Sequence, residues 1–436
     1  MKKLIDAQNE ILSYIDLNAD FETLKITQAY GRILAEDIKA PFSVPPFNTS
    51  AMDGFAVRSS DFKEGVDYEK NGLTFDVIEE IPAGSVGCKK VSAGTAVKIM
   101  TGAPLPDGAD AILMKEYASE SFEECGGGDA HEKGGYKKNW KVTAYKKVSA
   151  GLHVRNAGAD FKKGDTVLER GVRLTPAALG ICASAARSVI KVYCKPYIAI
   201  VSTGDELIDP FADIVNSPDF MPAPGKIMNS NSYMLGGLIT ECGALPFYAG
   251  AAADTPEAIS GLISHGILKA DIVITTGGAS VGSYDYIPAA LEMLGFEVGI
   301  WKMEIKPGRP FVFGVKKTDN GRVKLVFGLP GNPASSLVSF TQFVKPAILK
   351  LCGVKNYAPS LKIIGALRHD VKMDPERTTL LRARFYMESG KNMIDFPVKQ
   401  DSNILSSALA ANCLAEIPPG AGVMAAGTEV CAQVLL

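Results

Sequence analysis

YIAIVSTGDEL (197–207), DIVITTGGASVGSYDY (271–286) and VKLVFGLPGNPASS (323–336) follow one pattern. Each opens with a short apolar, β-branched run of the kind buried on both faces of a sheet, and each ends in glycine and small polar residues. ALPFYAGA (244–251) is a further strand of this type. Helix signatures lie between them. SNSYMLGGLITECG (230–243) opens with a Ser/Asn cap, DTPEAISGLISHGI (254–267) begins with an Asp-Thr-Pro-Glu helix start, and a helix follows the last strand through residue 344. Strands alternating with helices predict a doubly wound, parallel α/β sheet.

Working outward, the helical signal fades after residue 355. LKIIGAL, LLRARFYM, MIDFPV and GTEVCAQVLL read as short strands of a C-terminal β domain that resembles a barrel. At the other end, Leu4, Ile11, Leu12 and Ile15 give a first helix one apolar face, and a short linker with a second helix start is expected to follow. PFSVPPF (41–47) is a proline-dense boundary. Runs such as Thr74–Ile78 and Thr95–Met100, with Gly and Pro between, mark a small β domain, in which glycine-rich 125–139 reads as an exposed hairpin tip or mobile loop. The expected organisation is a discontinuous helical linker domain (1–45 and 146–180), an inserted β domain (46–145), the α/β domain (181–354) and a C-terminal β domain (355–436), with no tandem repeat.

A formal net charge of -2 provides no basic field for nucleic acid, so an anionic ligand requires a local pocket. The N-terminus lacks the apolar centre of a signal peptide, and no apolar run approaches the roughly 20 residues that span a bilayer. Eight cysteines without a CxxC pair read as thiols in a reducing cytoplasm.

In an open α/β sheet, ligands sit beyond the carboxyl ends of the strands. Three such ends carry anion-binding chemistry: Thr203 and Gly204 in STGDEL, Gly277, Gly278, Ser280 and Gly282 in TTGGASVG, and Pro330, Gly331 and Asn332 in GLPGNP. Glycine lets the backbone approach, and N–H and hydroxyl groups cradle phosphate-like oxygens. One such loop is common in α/β proteins; three at one sheet edge predict a binding site. Asp205, Glu206 and Asp285 lie in the same loops and suit Mg²⁺ beside phosphate, while Asp205 and Asp285 are equally readable as caps. Lys306 and Arg309 flank a Pro-Gly turn in KPGRP, either as an oxyanion clamp or as a solvated basic turn.

PPFNTSAMDGFAVR, MTGAPLPDGADAILMKE, VSTGDEL, NSNSYML, TTGGASVGSYDY, KPGRPF and GLPGNPASSLVSF occur in that order between about residues 41 and 345, and SNILSSALAANCLAEIP (402–418) follows. Together they resemble the molybdopterin molybdenumtransferase family of MoeA and the gephyrin E domain. The resemblance implies an elongated four-domain subunit in a homodimer, with the active cleft shared between subunits. It implies a reaction in which molybdate and adenylylated molybdopterin yield the metallated dithiolene and AMP, assisted by Mg²⁺. It also assigns Asp53, Thr101, Asp205, Glu206, Asp285 and Lys306 to the active site. Ser280 serves as a donor to pterin or phosphate, and Arg382 and Ser402 are contributed by the C-terminal domain.

Two positions depart from the family pattern. RNAGAD (155–160) has Ala159 where relatives carry an acid, leaving Asp160, and Arg309 replaces a lysine. The Pro-rich 209–225 segment reads as a non-catalytic surface loop. Metal insertion needs no protein nucleophile, because the substrate dithiolene supplies sulfur. The protein holds an oxyanion and stabilises charge as the phosphoanhydride breaks. None of the four histidines lies in a ligand loop; His131 falls in the glycine-rich segment and His265 is expected to end a helix. The implied partners are a molybdopterin adenylyltransferase and cofactor-accepting enzymes, with neither nucleic acid nor membrane. Two alternatives are weighed. A stand-alone adenylyltransferase or pyrophosphatase would need neither the AMDG and MTGAP blocks nor the C-terminal domain. A non-catalytic scaffold would favour added linkers and loss of cleft charges.

Overall fold

The computed structural model describes every residue except 1, 17–19, 125–136, 218, 279–285, 320, 356, 358–360, 397–398 and 436. The chain divides into two compact units. One comprises Met1–Glu36, Arg170–Thr175 and Val189–Leu436, the other Asp37–Glu169 and Pro176–Ser188.

The first unit is built on a six-stranded sheet of β1 (Tyr197–Thr203), β2 (Leu245–Ala252), β3 (Ile272–Thr276), β4 (Glu297–Lys302), β5 (Pro310–Lys317) and β6 (Val323–Leu329). Their spatial order is β2-β1-β3-β6-β5-β4. The four strands expected from the sequence run parallel, as doubly winding requires. The sheet is not wholly parallel, however. β4 and β5, absent from the sequence reading, join antiparallel at one edge, where a tight reversal links β5 to β6 without a helix.

Alternating side chains feed opposite faces. Ile198, Ile200, Ile272, Ile274, Phe311 and Phe327 pack with Leu235 and Ile239 of α1 (Asn231–Glu241). Ala199, Val201, Val273, Val312 and Val326 pack with Ile259 and Ile263 of α2 (Pro256–Lys269). Burial of both faces explains why these strands read as continuous apolar runs. Thr255 caps α2 through its hydroxyl, with Pro256 in the first turn. α2 continues to Lys269, so His265 lies inside the helix rather than at its end. After β6, a helix over Pro333–Ser339 passes through a wider π turn (Phe340–Val344) into Lys345–Leu351. Pro346 has no N–H to donate there, so regular α bonding is interrupted.

The C-terminal strands β7 (Lys362–Leu367), β8 (Thr378–Glu388), β9 (Lys391–Asp395), β10 (Cys413–Ile417) and β11 (Glu429–Val434) pair in the order β8-β9-β7-β11-β10. β10 pairs back onto β8, closing a barrel around Leu381, Ala383, Ile394, Ala415 and Val430. At the N-terminus, Leu4–Ser13 is the expected helix, with Ala7 and Ile11 buried. Among the described residues, the expected second helix is absent. Phe21–Lys25 is instead a strand paired with Val189–Tyr193, followed by one 3-10 turn at Ile26–Gln28.

The second unit holds a six-stranded sheet in the order Ala111–Met114, Gly54–Val57, Thr95–Ile99, Leu73–Ile81, Lys137–Ala144 and Ala118–Glu124. Phe55, Phe75, Leu113 and Val142 fill one face, and Ala56, Ile81, Ile99 and Ile112 the other. The same unit contains the helix Pro176–Ser184 and two short strand pairs, Thr49–Ser50 with Val154–Arg155 and Ile38–Lys39 with Thr166–Leu168. The expected glycine-rich tip and His131 lie largely outside the described residues. Among the described residues, no helix is long and apolar enough to cross a membrane. Burial pushes the thiols of Cys242 and Cys352 up to about 12, which leaves them protonated and inert at neutral pH.

Candidate active site

Because β1, β3 and β6 are adjacent and parallel, their carboxyl ends emerge together. They border a cleft of about 670 Å³ within the first unit. Thr203, Gly204 and Glu206 line it after β1, Thr276, Gly277 and Gly278 after β3, and Pro330, Gly331 and Asn332 after β6. The three sequence-predicted loops therefore meet in one place.

Gly277 makes the convergence possible. Gly277 has φ +100°, and a Cβ there would lie 2.4 Å from the Thr203 carbonyl oxygen. A Cβ on Gly331 would touch the Gly277 Cα at 3.5 Å. A Cβ on Gly204 would fall 2.4 Å from Glu206 Oε2, so the Glu206 carboxylate folds back over that glycine. Not every loop amide is free to bind an anion. The Gly204 N–H donates to Ala252 O at 3.3 Å, and the Gly277 N–H to Leu329 O at 3.2 Å. Among the described residues, no acceptor takes the N–H groups of Gly331 and Asn332.

Asp205 turns toward Asp254, another residue of the cleft wall. The Asp205 N–H donates to Asp254 Oδ2 at 3.3 Å, and the Asp254 N–H to Asp205 Oδ1 at 3.4 Å. Among the described residues, no three acidic, Cys or His side chains form a metal cage. Mg²⁺ does not require one, because one or two carboxylates plus substrate oxygens suffice. Glu206 beside the glycine loops fits that requirement. Ser280, Gly282 and Asp285 lie outside the described residues.

The remaining candidates fall elsewhere. Lys306 does not line the cleft; its Nζ lies 3.5 Å from Asp374 Oδ2. Arg377 holds the same carboxylate at 2.7 Å and draws its pKa down to about 2. Arg309 is exposed, although the next residue, Pro310, lines the cleft. Arg382 is fully buried, with Nε donating to Ser407 Oγ at 2.6 Å and Nη2 to Asp401 O at 3.1 Å. Burial lowers its pKa, partly offset by Asp401. Ser402 acts through its backbone, its carbonyl accepting the Ala334 N–H at 3.0 Å, and Asn403 and Leu405 line the cleft. Arg382 thus supports a cleft segment from behind rather than presenting a guanidinium to ligand.

In the second unit, Asp53 Oδ1 accepts both the N–H and the hydroxyl of Thr101 at 2.8 Å. Lys115 Nζ lies 3.7 Å from Oδ2. The Thr101 backbone bond is the largest of the influences that hold the Asp53 carboxyl below its ordinary value. Ala159 donates its N–H to Asn156 O at 3.1 Å, and Asp160 remains exposed.

The sequence pattern of the MoeA N-terminal region (domain I and II) matches residues 3–186. That of a probable molybdopterin binding domain matches 199–350, and that of the MoeA C-terminal region (domain IV) 365–435. The molybdopterin molybdenumtransferase of Haemophilus influenzae is 33% identical over 99% of this chain and 98% of its own length. The Bacillus subtilis molybdopterin molybdenumtransferase is 33% identical, covering 99% and 93%. The chain belongs to the MoeA family. The solved structure of a molybdopterin biosynthesis moeA protein from Pyrococcus horikoshii OT3 matches with a TM-score of 0.78 and 30% identity, covering all of both chains.

Within this MoeA-family frame, Asp254 and Asn231 are among the cleft residues that escaped the sequence reading. Asp254 passed as part of a helix start. Asn231 passed as part of a Ser/Asn cap, and no local pattern separates a capping amide from one that reaches across a sheet edge. The stem of the 209–225 segment also contributes, since Leu207–Ile208 pair with Ile227–Met228 and Leu207, Ile227 and Met228 line the cleft. Beyond the stem, Tyr233 stacks on Tyr248 at 5.6 Å and donates to Asp209 at 2.9 Å. Burial first, and then Asp209, push the Tyr233 phenol up to about 12.

Proposed function

We infer that the chain is a molybdopterin molybdenumtransferase that inserts molybdenum from molybdate into adenylylated molybdopterin, releasing AMP. The observation that carries this reading is the meeting of three glycine-rich strand ends in one cleft, with Glu206 over the first of them. Its amides suit the phosphates, and its small residues let the backbone approach a flat ligand. Glu206, with Asp205 of the same loop and Asp285 of the loop after β3, would hold Mg²⁺, which supplies charge neutralisation for the phosphoanhydride oxygens. The dithiolene brings its own sulfur ligands, so the protein's task is to orient both substrates and exclude water. Lys306 and Arg309 do not line the cleft, so they would contribute long-range positive potential to the oxyanion rather than direct contacts. The Lys306 ion pair with Asp374 tempers that charge.

The same reading makes the protein a cytoplasmic homodimer in which Asp53 and Thr101 of one copy complete the cleft of the other. A molybdopterin adenylyltransferase supplies its substrate, and cofactor-dependent enzymes receive its product. Incubation of the protein with adenylylated molybdopterin, Mg²⁺, and molybdate or tungstate is expected to release AMP only when oxyanion is present. Oxyanion-independent release, or none, would remove the insertase reading. Asp285→Ala is expected to abolish turnover without unfolding the protein. Mixing inactive Asp53→Ala and Asp285→Ala subunits is expected to restore activity, and failure to do so in verified mixed dimers would remove the shared cleft.

A further inference from the structure

The ends of β3 and β6 are joined by a side chain that the reaction above does not use. Asn231 opens α1, is nine-tenths buried, and borders the cleft. Its Nδ2 donates to Thr276 Oγ1 at 2.8 Å and to the Gly331 carbonyl at 2.7 Å. A carbonyl can only accept, so the amide nitrogen must face Gly331, and the orientation of the side chain is settled by chemistry. Both amide hydrogens are therefore committed to two different loops. Among the described residues, the other end, Oδ1, is buried without a partner.

The position of this bridge matters because regular pairing stops beside it. The β3–β6 ladder ends at Thr276 and Leu329, and the Gly277 N–H to Leu329 O bond is its last rung. Beyond that point, the Asn231 side chain spans from Thr276 to Gly331. The base of the bridge is itself pinned to β1. Ser202 Oγ lies 2.6 Å from Ser232 Oγ, Asn229 Nδ2 donates to Ser202 Oγ at 3.0 Å, and the Ser232 N–H donates to Asn229 Oδ1 at 3.3 Å. The first turn of α1 thus ties together all three strand ends of the cleft.

We propose that Asn231 is a positioning residue: it sets the spacing between the loops after β3 and β6 and so aligns the Gly331 and Asn332 N–H groups on the substrate's adenylyl phosphate. The proposal rests on the insertase reading for the identity of that phosphate. Asn231→Leu keeps much of the side-chain volume and removes both donors. In the full-length protein, AMP affinity is expected to fall roughly tenfold or more, because misaligned N–H groups lose their hydrogen bonds to a charged phosphate. Binding of adenosine, which lacks the phosphate, should stay within about twofold by NMR titration, a method that reads millimolar affinities. Amide hydrogen exchange at Gly277, whose N–H is bonded to Leu329 O between the two loops, should accelerate in the same variant without ligand. Equal losses for AMP and adenosine would indicate a merely structural role and overturn the proposal, as would unchanged AMP affinity with unchanged exchange. Should Asn231→Leu fail to fold, Asn231→Ser, which keeps one donor, is expected to show a smaller change in the same direction, and no change would overturn the proposal. Failure of the wild-type protein to bind AMP would sink the adenylyl reading instead, while the exchange measurement would still judge Asn231.

Discussion

Replacing Gly277 with alanine tests whether the cleft depends on two loops approaching more closely than any side chain permits. The new Cβ would lie 2.4 Å from the Thr203 carbonyl oxygen and 2.7 Å from its hydroxyl, whereas contacts under 3.0 Å are essentially never seen. The backbone must therefore yield by about 0.6 Å, the difference between 3.0 and 2.4 Å. The φ of +100° adds strain of about 1–3 kcal/mol for a residue with a Cβ. A catalytic misplacement of about 1 Å costs around a hundredfold, so a shift of about 0.6 Å predicts a loss on the order of tenfold to thirtyfold. Urea unfolding would measure the first effect and oxyanion-dependent AMP release the second. Gly237→Ala is the matched control, because its Cβ meets nothing within 4 Å in the middle of α1. Alanine there should be neutral or stabilise by up to about 1 kcal/mol. Wild-type stability and turnover in Gly277→Ala would refute the close-approach argument.

Thr101→Val removes the hydroxyl donor to Asp53 but keeps the backbone donor, so the Asp53 carboxyl should titrate higher than in the wild-type protein yet remain below its ordinary value; an unchanged carbon-13 NMR titration would contradict this. Asp374 titrates at about 2 in the folded protein against 3.8 ordinarily, so its pairing stabilises the fold above about pH 4 and that contribution fades as pH falls toward about 2. Asp374→Asn should therefore lose less stability than the wild-type protein between those pH values, and identical pH dependence of the urea midpoints would count against the pairing. Arg382→Lys forfeits the bonds to Ser407 and Asp401 in a fully buried setting and should cost about 2–4 kcal/mol by urea unfolding. Wild-type stability in that variant would show that the guanidinium geometry does not matter.

The sequence was most legible where local chemistry and tertiary role coincide. Parallel strands buried on both faces must be apolar throughout, so β1, β3 and β6 announced themselves, and their shared direction placed STGDEL, TTGGASVG and GLPGNP at one edge. β4 and β5 escaped because β5 joins both of its neighbours antiparallel without a helical crossover, so the strand–helix alternation that marks the other strands is missing there. Phe21–Lys25 escaped because five residues carry too short a pattern to distinguish a strand from the start of a helix.

The sequence by itself thus determined the layer architecture, the order of the motifs and the residue types that suit an anion. Only the tertiary structure decided which candidates meet. It drew Asp254 and Asn231 into the cleft, folded Glu206 over Gly204, engaged Lys306 with Asp374 and buried Arg382 behind the 401–405 segment. The physical reason is that hydrophobic periodicity is a local property of the chain. A hydrogen bond such as that between Asn231 and Gly331, a hundred residues apart in sequence, forms where packing brings the groups together, and no local pattern records it.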